Sequence, residues 1–195
     1  TGVLMTRKGL AKPIGSMTQY DKIRVGRGEN KQYKHYGEIV PLTDLNDIVF
    51  GTWDAYPDNA YEAAINAEVL KEKDINPVKD ELEKIVPMKA AFDHDYAKRI
   101  EGENIMKGAT RKEMIENLRK DISDFKKNNN CARIVVIWAA STEIYVPYYS
   151  PVHDSLADLE KAIEANDKEH IAPSMCYAYA ALKEDAPFIM GAPNT

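Results

Sequence analysis

An uninterrupted apolar run in the second half of the chain limits the folds that this sequence can adopt. Residues 133–140 read RIVVIWAA, in which five bulky apolar side chains follow one another with no polar residue between them. A strand with one face in water alternates apolar and polar side chains, whereas a strand covered on both faces does not. The run is therefore predicted to be a strand of a parallel sheet, buried on both faces.

Two shorter apolar runs, at residues 48–50 and 188–190, are predicted to be further strands of this sheet. Helical periodicity fills the intervals between them. A capping box, a serine cap and a helix-starting proline mark three of the predicted helices. The first helix begins at Thr110, and its inner face is predicted to carry Met114, Leu118 and Ile122. The second begins at Ser155, with Leu156, Leu159 and Ile163 on its inner face. The third begins at Pro173 and is predicted to pack on the sheet through Met175, Ala178, Ala181 and Leu182.

Two more helices are predicted at residues 61–71 and 78–85. Buried strands that alternate with helices indicate an α/β fold with a mainly parallel sheet and right-handed crossovers. The length of 195 residues suits one large domain or one domain with an extension, and the chain shows neither an internal repeat nor a low-complexity linker.

In an open parallel sheet, ligands bind beyond the carboxyl ends of the strands. The three predicted strands are followed there by GTWD at 51–54, ASTE at 140–143 and GAPNT at 191–195. We call each of these segments the exit of its strand. Small residues let a ligand approach the backbone, and the polar side chains offer hydrogen bonds. Asp54 is expected to accept both hydroxyls of a ribose. The same residue types also form ordinary turns and helix caps, which remains the alternative for each exit taken alone.

Charge and cysteine usage exclude several function classes. The 31 acidic and 26 basic residues give a net charge of −5 without a basic stripe, so nucleic acid is not expected as a partner. No apolar run reaches the roughly 20 residues of a membrane span. Cys131 and Cys176 have no CxxC partner, which predicts reduced thiols and a cytoplasmic location. The GRG at 26–28 is predicted to be a turn, and the DHD at 93–95 a surface stretch without a metal.

Three segments together resemble the myo-inositol-1-phosphate synthases, especially their shorter bacterial forms. GTWDAYPDNAYEAA at 51–64 is similar to the family's GGWD segment. ENLRKDISDFKKNN followed by RIVVIWAASTEIY, at 116–145, is similar to a family helix and the segment W-T-A-N-T-E-R-Y. HIAPSMCYAYAALKEDAPFIMGAPNT at 170–195 is similar to I-A-P-S followed by Y-I-N-G-S-P-Q-N-T. The resemblance covers nearly the whole chain.

The resemblance implies a Rossmann-type, doubly wound NAD domain with helices on both faces of the sheet. It also implies a homotetrameric isomerase of inositol and phospholipid biosynthesis. Its reaction would convert glucose 6-phosphate to 1D-myo-inositol 3-phosphate by oxidation, enolisation, aldol closure and reduction. The family's phosphate loop is expected before residue 1 and its catalytic groups after residue 195. Residues 1–195 alone are therefore expected to show no synthase activity, and no catalytic residue is assigned within them.

The resemblance also assigns candidate NAD-binding residues by position. Asp54 corresponds to the acid on the adenosine ribose, and Arg99 to an arginine near the cofactor. The residues that correspond to the segments near the nicotinamide are Ala139, Ala140, Ser141, Thr142, Gly191 and Ala192. The chain departs from the family pattern where Ala139 replaces Thr, Ser141 replaces Asn and Ile144 replaces Arg. Two other functions remain open, a sugar-phosphate dehydrogenase and a non-catalytic nucleotide-binding module.

Overall fold

A computed structural model describes residues 1–14, 16–146 and 150–192. The chain divides into two compact units, one formed by residues 1–50 and 58–85, the other by residues 51–57 and 86–195. Each unit has its own hydrophobic core. No helix in the described part of the chain is long and apolar enough to span a bilayer.

The strands are β1 (Lys22–Val25), β2 (Gln32–His35), β3 (Trp53–Asp54), β4 (Met88–Lys89), β5 (Val136–Trp138) and β6 (Phe188–Met190). The α-helices are α1 (Gly2–Arg7), α2 (Met17–Tyr20), α3 (Ala60–Asn66), α4 (Glu72–Ile75), α5 (Lys79–Leu82), α6 (Arg111–Asn128), α7 (Leu156–Glu164) and α8 (Pro173–Lys183). Short 3₁₀ turns lie at Gly28–Asn30, Tyr36–Glu38, Leu45–Asp47, Asn76–Val78 and Pro151–His153.

The first unit combines a hairpin with a small helical core. β1 pairs with β2 in antiparallel register, with Lys22 opposite His35. The connection between them contains Gly26 at φ 78°, a left-handed conformation that favours glycine. The interpretation of the GRG stretch as a turn is thus confirmed. The core of this unit is formed by Leu4, Ile75, Val78 and Leu82.

The second unit carries the parallel strands. β5 pairs with β6 in parallel, with Val136 opposite Phe188, and β3 pairs with β4 in parallel, with Trp53 opposite Met88. Helices α7 and α8 lie in the connection from β5 to β6, which is the crossover that parallel strands require. The predicted α/β class with parallel pairing is confirmed. The described strands, however, form three two-stranded sheets, so β3 does not join β5 and β6 in one sheet as the sequence predicts.

Three predicted helix starts in this unit are confirmed. Thr110 Oγ1 accepts the N–H of Glu113 at 3.2 Å, and Glu113 Oε2 accepts the N–H of Thr110 at 2.7 Å, which completes the capping box of α6. Ser155 Oγ accepts the N–H of Asp158 at the start of α7, and Pro173 is the first residue of α8. The predicted inner stripe of α6, Met114, Leu118 and Ile122, is buried.

The strand predicted at 48–50 is wrong. Val49 and Phe50 are exposed, and the strand begins later, at Trp53. The guanidinium of Arg7 donates to the carbonyl of Ile48, so this carbonyl is bonded to a side chain instead of a neighbouring strand. The predicted helix 61–71 ends at Asn66, and only residues 79–82 of the predicted helix 78–85 are α-helical.

Burial of β5 on both faces is also contradicted within the described residues. Val136 is 5% exposed, whereas Val135 and Ile137 are 53% and 61% exposed. Leu156 and Leu182, both predicted on inner faces, are exposed as well. Ile163 in α7 and Ala181 in α8, also predicted on inner faces, are buried as predicted. They are joined there by Ala162 in α7 and by Cys176 and Ala180 in α8.

Candidate functional site

The exits of β5 and β6 lie side by side. Because Trp138 is opposite Met190, the two exits begin at Ala139 and Gly191. The N–H of Gly191 donates to Trp138 O at 2.8 Å. A Cβ at position 191 would lie 2.5 Å from that same oxygen, so the contact requires glycine. The structure therefore brings these two predicted exits together. Pro193, Asn194 and Thr195, the rest of the GAPNT exit, lie outside the described residues.

Most candidate residues on these two exits are exposed. Ala139, Ala140, Ser141, Thr142 and Gly191 are exposed, and Ala192 is buried. Small side chains and two hydroxyls are therefore available to a ligand at the carboxyl edge of two adjacent parallel strands.

Asp54 is the last residue of β3, and its side chain is exposed. Asp54 Oδ1 accepts the N–H of Tyr56 at 3.0 Å, a local turn contact of the kind that the alternative interpretation predicts. This contact orients the carboxylate, and the exposure of the side chain leaves the group facing solvent.

Tyr177 of α8 lies close to the ends of both β3 and β5. Its ring packs edge-on against Trp53 at 5.4 Å and against Trp138 at 5.3 Å between ring centroids. Its hydroxyl accepts the N–H of Ala91 at 3.0 Å. Asp54 and Ala139 directly follow the two tryptophans in sequence, so each of them lies next to a residue that contacts the ring of Tyr177.

The segment that carries Arg99 contacts residues just beyond both exits. Tyr96 O accepts the N–H of Ile144 at 2.9 Å, just beyond the β5 exit. The N–H of Glu101 donates to the hydroxyl of Tyr56 at 3.3 Å, just beyond β3. Arg99 lies between these two contacts in sequence, and its side chain is exposed.

Asn104 and Gly102 hold β3 in place. Asn104 Nδ2 donates to Asp54 O at 3.0 Å and to Met88 O at 3.1 Å, and its N–H donates to Ala55 O at 2.9 Å. A Cβ at Gly102 would lie 2.1 Å from Ala55 O, so this approach requires glycine. Neither residue is predicted from the sequence, because the GEN stretch at 102–104 has no periodicity that indicates its partners.

Glu143 differs from its expected role as an exit group that offers hydrogen bonds to a ligand. It is only 6% exposed, and its carboxyl group accepts hydrogen bonds from the N–H and the hydroxyl of Ser174. Burial raises the pKa of Glu143, although the Ser174 hydrogen bonds and the charge of Arg111 oppose that shift. One sequence feature could have indicated this contact. Neither Ala172 nor Pro173, at the start of α8, has a side chain that can cap the helix.

Arg111 and Asp93 form a largely buried ion pair in the second unit. Arg111 is fully buried, with Nη2 at 2.8 Å from Asp93 Oδ2 and Nε donating to Ile171 O at 2.7 Å. Burial opposes ionisation of Asp93, but the hydrogen bonds from Asp95 N–H and Arg111 and the charge of Arg111 outweigh it, so the pKa of Asp93 is lowered. The prediction that the DHD stretch lies on the surface is wrong for Asp93, whose side chain is largely buried. The described residues contain no group of three or more histidine, cysteine or acidic side chains suited to a metal.

The raised pKa of Glu143 predicts a pH dependence of stability. A group whose folded pKa lies above its ordinary value, here 4.5, stabilises the fold fully below that value and loses this contribution as the pH rises through the raised pKa. Glutamine does not titrate. The groups that affect the pKa of Glu143, namely Arg111, Asp93 and Ser174, are the same in Glu143→Gln and in the unsubstituted protein. We expect the free energy of unfolding of the unsubstituted protein, relative to Glu143→Gln, to fall as the pH rises from 4.5 towards neutrality. Denaturant unfolding at several pH values measures this difference, and a constant difference would contradict the prediction.

Comparison with known proteins identifies the family. An NAD-binding family model described as myo-inositol-1-phosphate synthase matches residues 1–195. The chain is 66% identical over 193 residues to inositol-3-phosphate synthase 1 of Bacteroides thetaiotaomicron, covering 99% of this chain and 44% of that protein. It is 32% identical over 207 residues to inositol-3-phosphate synthase 1 of Oryza sativa subsp. japonica, covering 99% of this chain and 40% of that protein.

A solved structure agrees with the sequence comparisons. The crystal structure of inositol-3-phosphate synthase from Caenorhabditis elegans superposes with a TM-score of 0.89 at 25% sequence identity, covering 98% of this chain and 41% of that one. The chain thus spans less than half the length of these relatives. The fold is of the Rossmann type, and the cofactor is NAD. With the family model matching its whole length, the chain belongs to the myo-inositol-1-phosphate synthase family.

Proposed function

We propose that these residues are the NAD-binding part of an inositol-3-phosphate synthase, which converts glucose 6-phosphate to 1D-myo-inositol 3-phosphate. The observation that carries the proposal is the 66% identity to the Bacteroides thetaiotaomicron synthase across 99% of this chain. Bound NAD supplies the hydride acceptor for the first oxidation and the hydride donor for the final reduction. The isomerisation leaves no net redox change, so the cofactor can stay bound through turnover.

The residues at the strand exits fit a dinucleotide chemically. The exposed carboxylate of Asp54 suits the adenosine ribose, because a carboxylate accepts hydrogen bonds from two hydroxyls. The nicotinamide half would lie along Ala139, Ala140, Ser141 and Thr142, with Gly191 and Ala192 beside them. Arg99 would contact the cofactor from the segment that joins the two exits. Tyr177 supports this arrangement, since it packs against the tryptophans that precede both exits.

Substitution of Asp54 tests the ribose contact. Asparagine keeps one oxygen for the N–H of Tyr56 but loses the charge and the second acceptor. Loss of a hydrogen bond to a charged group costs about 1.5–3 kcal/mol, so we expect the Kd for NAD to rise about 10- to 100-fold in Asp54→Asn. Isothermal titration calorimetry of both proteins measures it.

Asp47→Asn is the control for this measurement. Asp47 lies in the 3₁₀ turn before β3, on the other unit of the chain, and has no proposed role in NAD binding. Its Kd is expected to stay within about twofold of the unsubstituted protein, since surface changes away from a site have small effects. An unchanged Kd in Asp54→Asn would refute the assignment of Asp54.

A chimaera tests the synthase activity. Residues 1–195 replace the matching segment of the Bacteroides thetaiotaomicron synthase, whose remaining residues stay in place. We expect the chimaera to form inositol phosphate from glucose 6-phosphate without accumulation of NADH. Accumulation of NADH would indicate the sugar-phosphate dehydrogenase instead. NAD binding without turnover would indicate a non-catalytic nucleotide-binding module.

We further propose that the protein is cytoplasmic and forms a homo-oligomer, a tetramer by analogy with the family. Both cysteines in the described residues are free, which supports a reducing compartment. Neither nucleic acid nor a membrane is proposed as a partner, in keeping with the net charge of −5. Light scattering during size-exclusion chromatography measures the oligomeric state, and cell fractionation tests the location.

A further inference from the structure

The N-terminus of α8 is capped by a residue from a distant part of the sequence. Ala172, at the N-cap position, makes no side-chain cap, and Pro173 has no N–H to donate. The N–H of Ser174 donates to Glu143 Oε1 at 3.1 Å and to Oε2 at 3.3 Å. The Ser174 hydroxyl also donates to Oε2. Glu143 therefore supplies the cap that the helix lacks locally.

Burial makes this contact specific. Glu143 and Ser174 are 6% and 4% exposed. A carboxyl group removed from water needs hydrogen-bond partners, and the N-terminus of an 11-residue helix offers N–H donors and a favourable dipole. Displacement of Glu143 would leave both its carboxyl group and the N–H of Ser174 without partners, so the position of this residue is fixed.

The exposed segment 139–142 is held at both of its ends. On one side, Trp138 belongs to β5, and its carbonyl accepts the N–H of Gly191 at 2.8 Å. On the other side, Glu143 is bonded to α8, and the N–H of Ile144 donates to Tyr96 O at 2.9 Å. Among these contacts, only that of Glu143 with Ser174 depends on a side chain, the carboxyl group of Glu143, so it can be removed by substitution.

We propose that Glu143 is a positioning residue, which holds segment 139–142 against the nicotinamide half of NAD by anchoring it to the N-terminus of α8. This inference rests on the function proposed above. Glu143 belongs to the exit of β5, whereas Asp54, the residue proposed to bind the adenosine ribose, is the last residue of β3. Loss of Glu143 should therefore weaken binding of the nicotinamide half and spare the adenosine half.

Titration with NAD and with ADP-ribose, which lacks the nicotinamide, separates the two halves. In Glu143→Ala we expect the Kd for NAD to rise about tenfold and that for ADP-ribose to change less than about twofold. Glu143→Gln should bind both like the unsubstituted protein, because its amide oxygen can accept the Ser174 N–H and its amino group can donate to the hydroxyl. Asp54→Asn should weaken binding of both ligands.

Glu113→Ala is the matched control. Glu113 is also a capping carboxylate at a helix N-terminus, but it belongs to the exposed capping box of α6. Its loss should lower stability and leave both affinities unchanged. Equal weakening of NAD and ADP-ribose in Glu143→Ala, or no weakening of either, would overturn the proposal.

Hydrogen exchange tests the anchor independently of NAD. The amide of Ile144 should exchange faster in Glu143→Ala than in the unsubstituted protein, while the buried amide of Leu118 in α6 stays protected. Unchanged exchange at Ile144 would overturn the anchoring role. If the unsubstituted protein bound neither ligand, the proposed function would fail and the cofactor role of Glu143 with it, whereas exchange would still decide whether Glu143 anchors the segment.

Discussion

Arg111→Met is expected to lower the free energy of unfolding of the second unit by about 3–5 kcal/mol, because removal of one partner of a buried ion pair leaves the other uncompensated. Arg111 is fully buried and pairs with the largely buried carboxylate of Asp93 at 2.8 Å. Its guanidinium also donates to the carbonyl of Ile171, which would lose a hydrogen bond. Methionine fills a similar volume, so the loss should arise mainly from charge and hydrogen bonding.

Tryptophan fluorescence measures this loss of stability, and Lys112→Met serves as the control. The only tryptophans of the chain, Trp53 and Trp138, both belong to the second unit, so their fluorescence during denaturation reports the unfolding of that unit. Lys112→Met is the matched control, since Lys112 forms an exposed ion pair with Glu164, of a kind worth at most about 1 kcal/mol. Equal effects of the two substitutions would contradict the prediction. The double variant Arg111→Met/Asp93→Asn should recover part of the loss, because no charge remains unpaired.

Leu118→Ala is expected to lower the free energy of unfolding of the same unit by about 2–5 kcal/mol, the usual cost of a cavity in a packed core. Leu118 is fully buried on α6, in the cluster that includes Ile122, Val136 and Ala180. The close packing of α8 through its small side chains limits how far the helices can collapse into the space. The loss should therefore lie towards the upper part of that range.

Leu182→Ala makes the same chemical change at an exposed position. Leu182 is 66% exposed, although helical periodicity predicts it on the inner face of α8. We expect a change below about 0.5 kcal/mol, as for surface substitutions away from specific contacts. Measurement of both variants by tryptophan fluorescence compares them directly. A large loss in Leu182→Ala, or a small one in Leu118→Ala, would contradict the burial seen in the structure.

Local sequence signals predicted the elements that carry the site. The capping box at Thr110, the serine at 155 and the proline at 173 mark helix starts through contacts within a few residues of each other. The parallel pairing of β5 with β6 followed from two apolar runs separated by helices. The adjacency of the exits at Ala139 and Gly191 follows from that pairing, whereas the NAD-binding roles of their residues stay predictions.

The failures share a physical cause. In the segment wrongly predicted as a strand at 48–50, the carbonyl of Ile48 accepts a hydrogen bond from the side chain of Arg7, 41 residues earlier. The role of Glu143 was missed because its partner, Ser174, lies 31 residues away. Burial of Asp93 depends on Arg111, 18 residues further along the chain. Composition and periodicity contain no information on which distant side chain will satisfy a buried polar group.

The amino-acid sequence alone determined the α/β class, the helix starts, the apolar stripe of α6 and the family, because each is specified by short-range periodicity or by the order of segments. The packing of Tyr177 against two tryptophans, and its hydrogen bond with the backbone N–H of Ala91, 86 residues earlier, could be seen only in the folded structure. Only the tertiary structure, likewise, showed that Glu143 caps α8. Such contacts form after distant segments pack together, and their energy comes from burial and hydrogen bonding that no local stretch contains.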